Sequence, residues 1–305
     1  RAVEGVVWYP AGNGGQLTVY ADNPVWVGIV VSQDATVADG AHPVILLSHG
    51  LGGNVRSLTW LATGLAKLGA VVVAVNHPGS TTGDLDLMRS MQHWTRVQDL
   101  QAALDAVLAD PRFAGHVDAD RVYAAGFSLG GWTALSIGGV LGDSMAQAEH
   151  CRLAGPKSTH CMDLARAGID LTKQDVAKWG RSYRDPRIKA VAAIDPAFTH
   201  GTTADSVKDV VGNLTLIGLG VGNDRLLAAD FSDAGSGFVR LVPAARVVTI
   251  APAFHFSGLM LCKPAGAEIL AADNDDPVCS DPPGADRAAI HQQIVDTIAT
   301  AFQLK

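Results

Sequence analysis

The sequence predicts an α/β fold, a mostly parallel central sheet with helices on both faces, and three observations lead to it. From residue 44 onward, apolar β-branched runs alternate with amphipathic helical stretches. The alternation resumes after an interruption at residues 142–186, and one strand-to-helix junction carries a serine bracketed by glycines, GFSLG. Continuous apolar strands separated by amphipathic helices mark a parallel sheet covered on both faces.

The elements follow in chain order. The opening segment, with VEGVVWYPA, QLTVYA and VWVGIVVS, is β-rich and punctuated by turns, which predicts an N-terminal antiparallel set of strands. Then come VILLSH, the helical SLTWLATGLAKLG, AVVVAVNH, the helical TRVQDLQAALDAVLAD, and RVYAAGF. Beyond the interruption, IKAVAAID, NLTLIGLG and ARVVTIAP read as further strands, and DRAAIHQQIVDTIATAF as a closing helix. The interruption is rich in charge, and within it Thr172-Lys-Gln-Asp175 has the form of a capping box opening a short helix. Residues 1–305 are expected to form one domain, with 142–186 as a cap inserted over the ends of the strands, where ligands bind in open α/β sheets. Trp179 and Tyr183 are its candidate substrate contacts, packing within the cap being the alternative role for both.

With 305 residues, 48 % hydrophobic and 17 % charged, the chain can bury a large core. A net charge of -7 with no Lys/Arg run argues against a nucleic-acid or anionic-membrane surface, since both need a basic footprint. No apolar run reaches membrane-spanning length. The opening RAVEGVVWYP shows no charged-then-apolar leader, which is compatible with a signal peptide already removed.

Four cysteines form two local pairs, Cys151 with Cys161 and Cys262 with Cys279, each bracketing a polar loop. Four cysteines allow three connectivities, of which sequential pairing is the most economical. Such bridges fit an oxidising compartment, periplasmic or secreted. A rival is a metal site built on the dipeptides His150-Cys151 and His160-Cys161, but their spacing matches none of the usual zinc patterns, so no metal is expected.

In VYAAGFSLGGWTAL, Arg121 to Ala125 reads as strand and Trp132 to Ile137 as helix, with Ser128 at the apex of the turn. Side chains two residues to either side would collide with the neighbouring strand and helix, and Gly126 and Gly130 remove them. This is the G-x-S-x-G nucleophile elbow, which lifts a hydroxyl above the sheet. A glycine-rich turn with an incidental serine is the bland alternative.

A serine hydroxyl needs a general base, itself oriented by a carboxylate, and the expected chain order is serine, acid, histidine. His255 directly follows the last predicted strand, in VVTIAPAFHFSG, and is the candidate base. His291 falls inside the closing helix, and His200 follows the strand that carries Asp195. Two aspartates compete as the acid. Asp195 ends VAAID, where Pro196 stops the ladder and fixes the turn. Asp224 lies in a looser Gly-Val-Gly-Asn run after the following strand, 31 residues before His255. A tetrahedral oxyanion needs backbone N–H donors: the Leu129 N–H is one, and SHGLGG at residues 48–53 supplies a second, assigned to Leu51. His49 is expected to brace that loop by hydrogen bonds.

Together VVWYPA, ILLSHGLGGN, VVVAVNHPGS, GFSLGG, AVAAIDPAF and HFSGLMLCKP with a later DPVC resemble the α/β-hydrolases, and within them the platelet-activating-factor acetylhydrolase and predicted dienelactone hydrolase group of bacteria. The resemblance covers most of the chain outside 142–186. It implies an α/β-hydrolase fold, a serine hydrolase acting on small-molecule or lipid-like carboxylic esters, and no metal or organic cofactor. It also implies Asp195 as the acid and supports pairing of Cys262 with Cys279. Classical dienelactone hydrolases use a cysteine nucleophile where this chain has Ser128, so their substrate is not carried over. A non-catalytic ligand-binding protein on the same scaffold is the alternative function.

Overall fold

The chain was analysed as a computed structural model, which describes residues 3–304. Its strands are β1 (Gly5–Trp8), β2 (Gln16–Tyr20), β3 (Ile29–Gln33), β4 (His42–Ser48), β5 (Val71–Val75), β6 (Ser80–Thr81), β7 (Asp84–Leu85), β8 (Val117–Phe127), β9 (Ile188–Ile194), β10 (Asn213–Leu219) and β11 (Arg246–Ile250). Seven of them form one sheet in the order β1-β5-β4-β8-β9-β10-β11. Every neighbouring pair in it is parallel except β1 with β5.

The predicted N-terminal antiparallel set is divided in the structure. β1 leaves it to close the edge of the main sheet, Val6 opposite Ala74, while β2 and β3 pair as a separate ribbon with Val19 opposite Val30. The strands carry similar patterns and differ in what they bury. Trp8 of β1 is buried, whereas Leu17 and Val19 of β2 and Val30 of β3 are exposed.

Period-two alternation assigns the strand side chains to two cores. Val44 and Leu46 of β4 and Val71, Val73 and Val75 of β5 face one way; Ile45, Leu47, Val72 and Ala74 face the other. The first face is covered by α3 (Trp94–Ala109) and α4 (Leu129–Ile137), the second by α1 (Thr59–Lys67) and α11 (Arg287–Ala301). Short helices complete the set: α2 (Leu87–Ser90) before α3, α8 (Ala204–Val207) and α9 (Phe238–Leu241) between the later strands, and α10 (Gly266–Ala272) between β11 and α11.

Residues 142–186 hold α5 (Ser144–Ala154), α6 (Thr159–Arg166) and α7 (Val176–Trp179). The capping residue here differs from the expected Thr172. Asp175 caps α7, its carboxylate accepting from the Lys178 N–H at 3.0 Å, and Asp170 accepts from the Thr172 N–H one turn earlier. Carboxylates at both positions outcompete the threonine because an ionised oxygen is the stronger acceptor for exposed N–H groups. The segment starts beyond the C-terminal end of α4 and reaches the loop after β9. There Gln147 Nε2 donates to the His200 carbonyl at 2.6 Å, and the His150 and His200 rings stack at 3.5 Å.

Both sequential disulfides are present, Cys151–Cys161 and Cys262–Cys279, and no free cysteine remains. With its thiols joined, the His-Cys pattern has no thiolate to offer a metal. Cys262 is separated from Cys279 by 17 residues, and closing such a loop restrains the unfolded chain by about 3 kcal/mol. Replacing both by alanine is therefore expected to lower stability by about that amount in a denaturant titration. A change near zero would show that loop closure there contributes nothing.

Candidate active site

The glycines around Ser128 are required by contacts on both sides. A Cβ on Gly126 would run into the Gly130 carbonyl, and one on Gly130 into the carbonyl of Ser48 at the end of β4. Ser128 itself has φ 58° and ψ -120°, a conformation that L-residues avoid, at the N-cap of α4. The strained turn is held by its neighbour. The Ser128 N–H donates to the Ile194 carbonyl at 2.9 Å, and the Ala197 N–H donates to the Ser128 carbonyl at 3.1 Å.

Those two bonds bring the end of β9 beside the serine. Asp195 continues the ladder with its backbone, its N–H donating to the Ile217 carbonyl at 2.8 Å. Its side chain then replaces the next ladder acceptor: Oδ1 accepts from the Leu219 N–H at 2.8 Å. This leaves Oδ2 facing His255 Nδ1 at 2.9 Å. With Nδ1–H donating to the carboxylate, Nε2 is the acceptor, and the Ser128 hydroxyl lies 3.1 Å from it. Asp195 and His255 are buried, at 1 % and 4 % exposure, so solvent does not compete for these bonds. His255 starts a 3₁₀ turn after β11, locked by the Phe254 N–H donating to Ser257 Oγ at 2.9 Å.

The other candidate acid is elsewhere. Asp224 sits in a 3₁₀ turn at Gly222–Asp224, exposed and without a hydrogen bond to His255.

The loop after β4 reaches the serine from the other side. A Cβ on Gly50 would lie 3.3 Å from the Ser128 Cβ. Among the described residues, neither the Leu51 N–H nor the Leu129 N–H has a hydrogen-bond partner, so both are available as donors. His49 braces the loop as expected, its Nδ1 donating to the Gly50 carbonyl at 2.7 Å and its Nε2 accepting from the His77 N–H at 3.3 Å. Burial, and next the Arg96 charge, push the His49 pKa well below its usual range, which keeps Nε2 an acceptor.

No protein-family model matches the sequence, and no curated protein does. Among solved structures, a ferulic acid esterase from Streptomyces cinnamoneus matches with a TM-score of 0.62 at 17 % identity, over 99 % of this chain and 82 % of that one. The chain has the α/β-hydrolase fold. Looser likenesses are an α/β serine hydrolase homologue from Coxiella burnetii (15 % identity, 86 % and 88 % covered, TM-score 0.46) and a dienelactone hydrolase-like phosphotriesterase from metagenomic libraries (17 %, 87 % and 87 %, 0.47).

Not every expected site residue reaches the serine. Trp179 is 0 % exposed, so in this structure it packs rather than meeting a substrate. It contacts the ring edge of His93 and packs on Phe198, while Trp94, Trp132 and Tyr183 complete the cluster around His93. Tyr183 is part-buried and spends its hydroxyl on the Lys178 carbonyl at 2.9 Å. Aromatic residues of the inserted segment thus fasten it to α3 and α4. Trp179→Ala is expected to cost about 3–5 kcal/mol in chemical denaturation. Wild-type stability combined with an altered ligand preference would instead return Trp179 to the binding surface.

Several histidines are held neutral. Burial lowers His93 to about 3 and His291 to about 4; burial, then His200 and His160, lower His150 to about 4; burial also lowers His160 and His200. In the unfolded chain each returns to about 6.5 and takes up its proton first. Their contribution to stability is therefore complete above about pH 6.5 and lost as pH falls through the folded values. Unfolding at pH 5 should be accompanied by net proton uptake, measurable by calorimetry in buffers of different ionisation enthalpy, with less uptake in His150→Gln. Proton release, or no difference in that variant, would contradict this.

Proposed function

We propose that the protein is a serine esterase, cleaving carboxylic esters through Ser128, His255 and Asp195. The observation that carries this reading is the continuous hydrogen-bonded line from Asp195 Oδ2 through the His255 ring to Ser128 Oγ, at 2.9 and 3.1 Å. As the serine oxygen attacks the ester carbonyl, its proton passes to His255 Nε2, and Asp195 stabilises the imidazolium and fixes its tautomer. The carbonyl oxygen becomes an oxyanion within reach of the Leu51 and Leu129 N–H groups. Collapse breaks the ester C–O bond, and the alcohol leaves with the proton from Nε2. Water, deprotonated by the same nitrogen, then releases the acid and restores Ser128. The two disulfides are compatible with an oxidising, extracellular or periplasmic location. The segment 142–186 serves as a flanking cap, bound to the loop after β9 through His200.

Ser128→Ala and His255→Ala are each expected to remove nearly all turnover of p-nitrophenyl esters and, for Ser128→Ala, labelling by a fluorophosphonate, with the fold intact by circular dichroism. Asp195→Asn should lower kcat by about 10⁴-fold, as a wrong imidazole tautomer does, and Asp224→Asn should leave it near wild type. A panel of increasing acyl length, with a feruloyl ester included, defines the substrate class. A wild-type protein that binds esters without turnover or labelling would favour a non-catalytic ligand-binding role.

A further inference from the structure

Helix α3 buries a charge where its neighbours predict hydrocarbon. Arg96 and Asp99 share the helical stripe of Leu100, Val107 and Leu104, and Arg96 is 1 % exposed. A buried guanidinium persists only where its donors are spent on well-placed acceptors. Those acceptors come from three separate elements. Nη2 donates to the His49 carbonyl, in the loop leading to Leu51, and to Ser48 Oγ at 3.2 Å. Nη1 donates to Ser80 Oγ in β6, and Nε to Thr133 Oγ1 in α4 at 3.0 Å.

Each of these hydroxyls has its own proton engaged elsewhere. Thr133 donates to the Leu129 carbonyl at 2.9 Å and Ser80 to the His77 carbonyl at 3.2 Å. His77 Nδ1–H donates to Asp99 at 3.0 Å, so its Nε2 accepts from the Ser48 hydroxyl at 2.9 Å. The Asp99–His77–Ser48 line repeats the order of groups at Ser128, but all three are buried, so it braces rather than reacts. The β6 strand that Arg96 holds in turn grips the loop, the Gly52 N–H donating to the Ser80 carbonyl at 3.0 Å.

We propose that Arg96 is a positioning residue for both oxyanion donors, a role that rests on the esterase reading: one planar guanidinium ties the Leu51 loop and the first turn of α4 at Leu129 to the same rigid fork. It touches no substrate. It fixes the separation between two N–H groups that belong to different elements, which neither could fix alone. Lysine cannot substitute, because a point-charge ammonium does not span acceptors on three elements.

The experiment compares the wild-type protein with Arg96→Lys and Thr133→Val. Misplaced donors stabilise the oxyanion poorly but leave ester binding alone, so kcat should fall about 10²-fold in Arg96→Lys and about 10-fold in Thr133→Val, with KM within about threefold. Amide resonances and hydrogen exchange of Leu51 and Leu129 should change in both variants, while the remaining amides of β4, α3 and α4 stay as in the wild type. A folded Arg96→Lys protein with wild-type kcat and unchanged Leu51 and Leu129 amides overturns the proposal. So does a loss of kcat accompanied by faster exchange throughout those elements, which would mark a general structural role. If Arg96→Lys does not fold, Thr133→Val alone decides by the same measures. Should the wild-type protein hydrolyse no ester, the esterase reading fails by itself, and the two amides still report whether Arg96 sets their positions.

Discussion

The arrangement of Ser128, Asp195 and His255 at the strand ends depends on the two hydrogen bonds that join the Ser128 turn to the end of β9. The Ser128 N–H reaches Ile194 and the Ala197 N–H returns to Ser128, so the serine and the carboxylate are placed by one local exchange between adjacent parallel strands. The histidine then has to come from β11, two strands beyond β9 in the sheet, and the turn at His255–Gly258 carries it there. An acid on the strand nearest the serine needs no long side chain to reach the imidazole, and Asp195 suffices.

Three of the seven positive-φ non-glycine residues among the described residues lie at these strand ends. Ser128, Asp195 and Phe198 all have positive φ, 58°, 42° and 58°, in residues that are not glycine. Each such residue costs about 1–3 kcal/mol, tolerated only where the surroundings over-determine it. Here the surroundings are identifiable. Asp195 is held by its own backbone bond to Ile217 and its carboxylate bond to Leu219, Ser128 by Ile194 and Ala197. Gly126 and Gly130 let the backbones close to distances that no side chain would permit.

The sheet was legible because buried parallel strands leave a strong local signal: all six predicted strands from β4 onward, apart from the 142–186 segment, appear where apolar runs stand in the sequence. The serine, histidine and aspartate were legible because each sits at a strand end that its own neighbours define, Gly126 and Gly130, the VVTI run, and Pro196. Other features depend on partners distant in sequence. Trp179 reads equally as contact or core until His93 and Phe198 are found against it. The N-terminal strands look alike in pattern, and only the edge of β5 distinguishes β1. Arg96 went unread although a signal was present: a charge on the apolar stripe of TRVQDLQAALDAVLA is out of place unless something polar lies opposite.

Buried polar bonding and exposed apolar surface thus lie on different parts of the molecule. Ser128, His255 and Asp195 rest on strand ends, beside a buried polar layer of Arg96, Asp99, His77 and Ser48, where any change must satisfy several partners together. The rim is freer. Leu85 of β7 approaches Gly52 of the loop after β4, and Met88 of α2 meets Gln174 of the inserted segment at 3.3 Å, both side chains being exposed. Apolar groups exposed beside a rigid polar layer are suited to contact the hydrocarbon portions of a ligand, while the buried layer keeps its polar groups in fixed positions.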